Sequence, residues 1–597
     1  MKYLNQLIIS LILMLSLMSC DKDFLNKYPQ TAISPEAFFK SEEDLKLYID
    51  GLISLPDKYT YQSEQGTDNT ATTGAVEIKI LMTGSPSAET ITGGWSWGRL
   101  RDINYFLDNV DKAEVDPVVK NHYIGLARYY RAIFYYSKVK RYSDVPWYST
   151  TLNTSDVEGL NKPRDPRVLV VDSIMADLDF AYKNVKADVP SGSPGKWAIA
   201  TEYTRIALYE GSWRKYHTEL KLESTSNTFF QKAIEIGSAI MDSNEFQIHN
   251  TGNPETDYFD LFNSQDLQSN PEIILPHIFD TDLGHGSNVT SIFTDYEQSP
   301  TRNLVHTYLM IDGSRFTDLP NFDEMTFVEE FQNRDPRMLA SLSYPGWENK
   351  GSRYIQRLNK NFTGYHQIKG YGNSVDELFN QSYDFPVLRY AEVLLMVAEA
   401  HAEINTINQS ILDRTINQIR SRAGLPDLNL VEANADIDPI ISARYPNVSG
   451  ANTGVILEIR RERRVELVFE GQRFDDINRW EVGELFADIP KGMYFPGLGK
   501  YDMSGDGYPD IELISKDNDI PFEDEKEKNA LGQTLIYYRV STIQDGSGTV
   551  YLENGVNGGP IITESTERQF LKPQYYYRPI PQPQVLLNNN LEQMFGW

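Results

Sequence analysis

Residues 456–480 read ILEIRRERRVELVFEGQRFDDINRW, and the reading of this stretch decides the rest. As a helix it sets Glu458, Glu462, Glu466 and Glu470 four apart along one side, with Arg461 three after Glu458 and Arg463 three before Glu466. Ile459, Val465, Val468 and Phe469 supply apolar contacts, and Gly471 ends or kinks the helix. A second piece, Arg473 to Trp480, turns Phe474 and Ile477 inward. So many charges beside so few apolar residues predict a helix clamped between others by ion pairs. The competing reading is a carboxylate pair for acid–base chemistry. It is disfavoured because every acid has an arginine within reach, which lowers a carboxylate pKa rather than raising it.

Outward from this stretch, helical periodicity recurs. Upstream, Val387 to Ile404 and Ile411 to Ala423 repeat apolar residues at helical spacing, the second stopping at Gly424-Leu425-Pro426. Further back come Arg99 to Val110, Lys120 to Lys140, a helix opened by Asp165-Pro166, Ala198 to Lys215, and Phe229 to Met241. Small and aromatic residues alternate on their faces, as on the stacked pairs of tetratricopeptide repeats, though with looser spacing. Ala200, Thr204, Ala207 and Gly211 form a stripe small enough for close helix approach. Thr60 to Thr73 is polar and reads as exposed loop. Residues 250–385 lose the periodicity; with scattered prolines, glycines and aromatics and short apolar runs such as Glu272 to Phe279, they read as irregular structure with a few strands and short helices. After residue 480 the chain is rich in Gly, Pro and Asp, with strand-like pieces at Leu535 to Val540 and Thr549 to Leu552. The expected fold is mainly α: a helical-hairpin superhelix, with loop-rich segments and a few short strands forming a ligand face.

The 597 residues carry a formal net charge of −28, which argues against a nucleic-acid binder and against docking on anionic lipid. Cys20 is the one cysteine, so disulfides, thiolate clusters and a catalytic thiol in the body are not expected. Lys2, the apolar run Leu7 to Met18 and small Ser19 predict a secretory signal. Leu17-Met18-Ser19-Cys20 resembles a lipobox, in which Cys20 becomes the lipidated first residue. The expected division is a signal peptide at 1–19, a tether at 20–30 and one domain at 31–597. Within that domain lie a helical part at 31–250, an irregular ligand-face segment at 251–385, a hairpin with the quoted stretch at 386–480, and a loop- and strand-rich part at 481–597.

Catalytic motifs are missing from the sequence: there is no G-x-S-x-G, no H-E-x-x-H and no Walker loop. Asp502-Met503-Ser504-Gly505-Asp506-Gly507-Tyr508-Pro509-Asp510 has the oxygen spacing of a calcium loop. Asp502, Ser504, Asp506, the Tyr508 carbonyl and Asp510 would be the ligands, although Leu513 stands where an EF-hand has its bidentate Glu. The alternative is an Asx-rich turn that needs no Ca²⁺. Sugar rings stack on aromatic faces, with Asn, Asp and Arg reading the hydroxyls. Trp95 and Trp97, framed by glycines, with Arg99 and Asn104 nearby, are the first ligand-binding candidates; Tyr296, Trp347 and Tyr354 are the second. Core packing is the competing role for each.

The quoted stretch looks like the signature helix of the SusD/RagB family, the glycan- and nutrient-binding lipoproteins of the Bacteroidetes outer membrane. The resemblance extends to Leu126-Ala127-Arg128-Tyr129-Tyr130-Arg131-Ala132, Arg141-Tyr142-Ser143-Asp144-Val145-Pro146, Tyr390-Ala391-Glu392-Val393-Leu394-Leu395, and Pro579-Ile580-Pro581 before an Asn-rich end. It implies a tetratricopeptide-like scaffold and a lipid-anchored protein on the cell surface, beside a TonB-dependent outer-membrane transporter. Such a protein would capture an oligosaccharide, or a related nutrient, and pass it on without catalysis. A surface glycoside hydrolase and a purely structural component of a surface complex are the alternatives.

Overall fold

The structure, a computed structural model, describes residues 38–294, 298–373 and 380–597. Cys20 and Tyr296 lie outside the described residues. The principal helices are α1 (Glu42–Asp50), α2 (Gly98–Asn109), α3 (Pro117–Tyr142), α4 (Arg167–Asn184), α5 (Lys196–Tyr216), α6 (Ser226–Ser243), α7 (Tyr390–Glu403), α8 (Ile416–Arg422), α9 (Thr453–Glu466) and α10 (Arg473–Arg479). Consecutive helices pack as hairpins, α2 on α3, α3 on α4, and so on through α6, which packs on α7 and so reaches α9. The result is the expected tetratricopeptide-like superhelix. α3 starts where Asp116 accepts the Val118 N–H and Pro117 fills the first position, three residues before the periodicity begins. The small-residue stripe has its predicted use: a Cβ on Gly211 would meet the Phe230 ring at 3.0 Å.

Strands β1 (Thr70–Thr72), β2 (Ile273–His277), β3 (Gln298–Pro300) and β4 (Phe385–Arg389) form two antiparallel pairs, β1 with β3 and β2 with β4. β5 (Lys491–Phe495) later pairs antiparallel with β10 (Gly559–Ile562). Between them lie β6 (Gly499–Tyr501), β7 (Ile511–Ser515), β8 (Ile536–Ser541) and β9 (Val550–Tyr551), in a sheet ordered β9-β8-β7-β6. A large core fills the helical layer, and a second lies under the loop-rich part. No helix among the described residues is long and apolar enough to cross a membrane.

Four local readings change. Val387 to Arg389 is strand rather than helix: Pro386 lacks a donor, β4 pairs with β2, and the helix starts at Tyr390. The expected helix from Ile411 to Ala423 is two pieces, broken at Thr415, whose hydroxyl donates to the Ile411 carbonyl. α9 ends at Glu466, not near Gly471. The Glu466 carbonyl accepts from Tyr258 Oη at 2.7 Å and Arg389 Nη2 at 2.8 Å, and the Val468 carbonyl from Lys369 Nζ at 2.8 Å. Finally, Thr60 to Thr73 is not exposed loop: Glu64 and Thr67 to Thr70 are buried, because Asp68 and Asn69 accept from Arg464 and Arg473 of α9 and α10, while Glu64 accepts from Thr67, Asn69 and Thr70.

Candidate functional site

The α9–α10 stretch is the obvious concentration of charge, and its geometry assigns it to holding the fold. Glu466 accepts from Arg422 at 2.5 and 2.6 Å, from Arg389 at 2.5 Å and from Arg337 at 3.0 Å. Glu462 accepts from Arg337 at 2.5 Å and Arg420 at 3.1 Å. Arg461 bridges Glu458 at 3.1 Å as the spacing predicts, whereas Arg463 reaches Asp476 at 2.8 Å and not Glu466. Asp68, from the buried N-terminal loop, is held by Arg473 and Arg444 at 2.7 Å and Arg464 at 3.2 Å. Burial alone would raise the Glu399 carboxyl, but the Arg479 guanidinium beside it outweighs burial and holds it at about 2. Asp68, Glu399, Glu462 and Glu466 are thus enclosed and, despite burial, held by their arginines below the usual carboxylate range, which is wrong for proton transfer to a ligand.

The predicted aromatic sites separate. Trp347 and Tyr354 are core: they pack with Phe293, Ile368 and Tyr371, and Tyr354 Oη donates to His366 Nδ1 at 2.6 Å. Asn104 is buried and donates to the Tyr148 and Thr150 carbonyls at 3.0 and 3.1 Å while accepting from Arg131, so it ties α2 to the loop after α3. Trp95 and Trp97 are half-buried. Their rings meet edge to face at 5.3 Å, Trp95 abuts Tyr142, and Trp97 abuts Phe134, Tyr135 and Tyr148. Lys138 Nζ holds their loop by donating to the Gly94 carbonyl and, at 2.7 Å, to the Ser96 carbonyl. Arg99 lies 5.9 Å over the Tyr130 ring.

In the loop Asp502–Asp510, Asp502 accepts the N–H groups of Ser504, Gly505 and Gly507 at 2.7–3.0 Å. Asp506 accepts that of Tyr508, and Asp510 those of Met503 and Ser504. The Arg353 guanidinium donates to Asp510 and lies 3.6 Å from Asp506. The Arg353 guanidinium thus engages Asp510, one of the carboxylates that Ca²⁺ would need, while Asp502 is held by backbone N–H groups.

Two of the cavities among the described residues bear on ligand binding. One, of about 390 Å³, lies between α3, α5 and the β2–β4 ribbon, and is lined by Tyr130, Glu202, Arg205, Glu392 and Gln472, with Pro56 at its edge. Its charges are already matched: Arg205 donates to both Glu392 oxygens at 2.6 and 2.7 Å. The other, about 700 Å³, is an open cleft walled by Asp68, Arg302, Asn303, His306, Asp323, Arg444, Asp488, Lys491 and Glu553. Lys491 Nζ donates to Glu553 Oε1 at 2.7 Å, but both side chains are nearly half exposed, so that pair is worth little and can be exchanged for a ligand's hydroxyls. Half-exposed Phe322 stands against His306, and the Arg302 guanidinium lies 5.5 Å over half-exposed Tyr494. Phe322 and Tyr494 thus stand behind His306 and Arg302 of the wall, leaving the polar groups of the cleft to meet a polyhydroxylated ligand. The sequence reading missed this cleft because six separate stretches of chain supply its walls, and none carries a local motif.

The sequence profile of the SusD family matches residues 271–597. Two SusD-like proteins of Formosa agariphila are 24% identical over 513 residues and 22% over 525; each match covers 80% of this chain and 92% or 90% of the relative. The crystal structure of a SusD-like protein from Bacteroides fragilis superposes with a TM-score of 0.67 at 20% identity, covering 96% of this chain and all of that one. A SusD-like carbohydrate binding protein from the same species gives a TM-score of 0.65 at 20% identity, over 93% of this chain and all of its own. Profile, relatives and superhelix agree: the chain belongs to the SusD family.

Proposed function

We propose that this protein binds an oligosaccharide in the open cleft at the cell surface and delivers it, unaltered, to a partner TonB-dependent outer-membrane transporter, with the lipidated Cys20 as its anchor. Membership of the SusD family carries the reading. The cleft supports it: about 700 Å³ is the volume of a small-ligand site, and the exchangeable Lys491–Glu553 pair lies in its wall. Enclosed, ion-paired carboxylates on α9 and α10 accord with capture rather than hydrolysis.

Calorimetry of the mature chain against a panel of oligosaccharides tests it. Binding of one class is expected, weakened at least about tenfold by Lys491→Ala together with Asn303→Ala, as fits the loss of one or two hydrogen bonds to charged or polar groups. Binding that survives these changes and disappears with Trp95→Ala would move the site to the tryptophan pair. Silence across the panel, or release of shortened sugar, would refute the reading.

A further inference from the structure

We propose that His277 and His285 form a two-ligand site for a borderline divalent transition ion such as Zn²⁺ or Cu²⁺, at the free end of the β2–β4 ribbon. His277 closes β2 opposite Phe385, and the chain then turns back through a tight loop, Asp280 bridging to His285, which returns the second imidazole beside the first. The two Nε2 atoms are 3.3 Å apart. Two metal–nitrogen bonds of about 2.05 Å at the tetrahedral angle span about 3.3 Å, so the spacing already matches the bite of one tetrahedral ion.

The orientation of both rings is fixed from outside the pair. His277 Nδ1 lies 2.8 Å from the Pro56 carbonyl oxygen. A carbonyl only accepts, so Nδ1 carries the proton and Nε2 presents its lone pair. This is the outer hydrogen bond that metal-ligating histidines characteristically make. His285 stacks on the Phe279 ring at 4.9 Å with planes 11° apart, and that ring is itself buried in the second core. Behind the turn, buried Asp384 accepts the N–H groups of Phe279 and Leu267, placing a carboxylate beneath a site that would gain positive charge. His285 is exposed and His277 half-buried, so water or a ligand donor can complete the coordination sphere. Without an ion, the His285 Nε2–H donates to His277 Nε2. Binding requires the other neutral tautomer of His285, with its proton on Nδ1, and replaces the hydrogen bond with two coordinate bonds.

The site is separate from the calcium-like loop and from the open cleft. Pro56, which orients His277, also lines the 390 Å³ cavity, so an ion here would pin the 55–57 segment to the ribbon at that cavity's edge. Mature, tag-free chain stripped with chelator is titrated with Zn²⁺ by calorimetry. One equivalent is expected to bind, and His285→Ala is expected to weaken it at least about tenfold, since loss of even an outer hydrogen-bond partner costs 10–100-fold. Cu²⁺ electron paramagnetic resonance on the unmutated chain supplies a readout independent of any variant: hyperfine structure from two nitrogens is expected, and from one in His285→Asn. Zn²⁺ binding unchanged in both His277→Ala and His285→Ala, or a Cu²⁺ spectrum without two nitrogen ligands, would overturn the proposal.

Discussion

Replacing Glu466 with Gln removes one charge from the centre of the ion-pair lattice while keeping its shape. Three guanidiniums lose their shared carboxylate: Arg422, Arg389 and Arg337. Each keeps another, Arg422 and Arg389 on Glu272 at 3.0 Å and Arg337 on Asp335 at 2.7 Å. Breaking a buried pair costs about 3–5 kcal/mol, and the retained partners put this change near the lower end, at about 3 kcal/mol. At about 2.1 cal/mol/K of unfolding entropy per residue, that lowers the Tm of a 597-residue chain by about 2–3 °C. Glu458→Gln is the control: this carboxylate is 13% exposed, its partner Arg461 keeps Asp438 at 2.5 Å, and a shift under about 1 °C is expected. Differential scanning calorimetry and chemical denaturation read both. If Glu466→Gln is no worse than Glu458→Gln, or is stabilising, the lattice is not what holds the helix and the reasoning fails.

Burial pushes the His366 imidazole down to about 3, so the unfolded chain takes up a proton that the native one refuses. Its contribution to stability is therefore whole above about pH 6.5 and falls with acidification, by about 2 kcal/mol at pH 5. Glu64, which burial lifts to about 7, acts in the opposite sense, so the test is the difference between the parent chain and His366→Gln across this range. An identical pH slope in both would dismiss the assignment. Trp97→Ala, which strips a half-buried ring from Phe134, Tyr135 and Tyr148, is expected to cost about 2 kcal/mol and to leave sugar affinity intact; lost affinity at unchanged Tm would make it a stacking platform. Millimolar Ca²⁺ is expected to leave the parent chain's Tm unmoved, because Arg353 holds Asp510, and a clear rise would show that the guanidinium yields to the ion.

The helical layer was legible in the sequence because periodicity is a local property. Apolar and small residues at helical spacing placed α3 through α6 to within a few residues. The α9–α10 lattice was legible in kind but not in its pairing: Arg463 answers Asp476 across a turn, and nothing in a helical wheel selects that partner over Glu466. Polar content misled at Thr60 to Thr73, where hydrophilic residues are buried as ligands for arginines some 400 positions later. The same limit applied to the functional surface. Trp347 and Tyr354 carry a sugar platform's chemistry, but cluster inward on Phe293. The open cleft draws on residues 68, 302–306, 444, 487–491 and 553, none of which is conspicuous alone.

Asp68 meets Arg473 across 405 positions, and Glu77 meets Arg578 across 501. A polypeptide emerging from its amino end thus meets the cations that neutralise buried Asp68 only 376 positions later, at Arg444, and beyond, whereas Glu77 already has Arg141. The segment carrying Asp68 cannot close in order of arrival as the local hairpins do, and closure of so distant a loop is slow. That segment stays open until its distant partners are delivered, which makes a loss at the carboxyl end felt at the amino end as well.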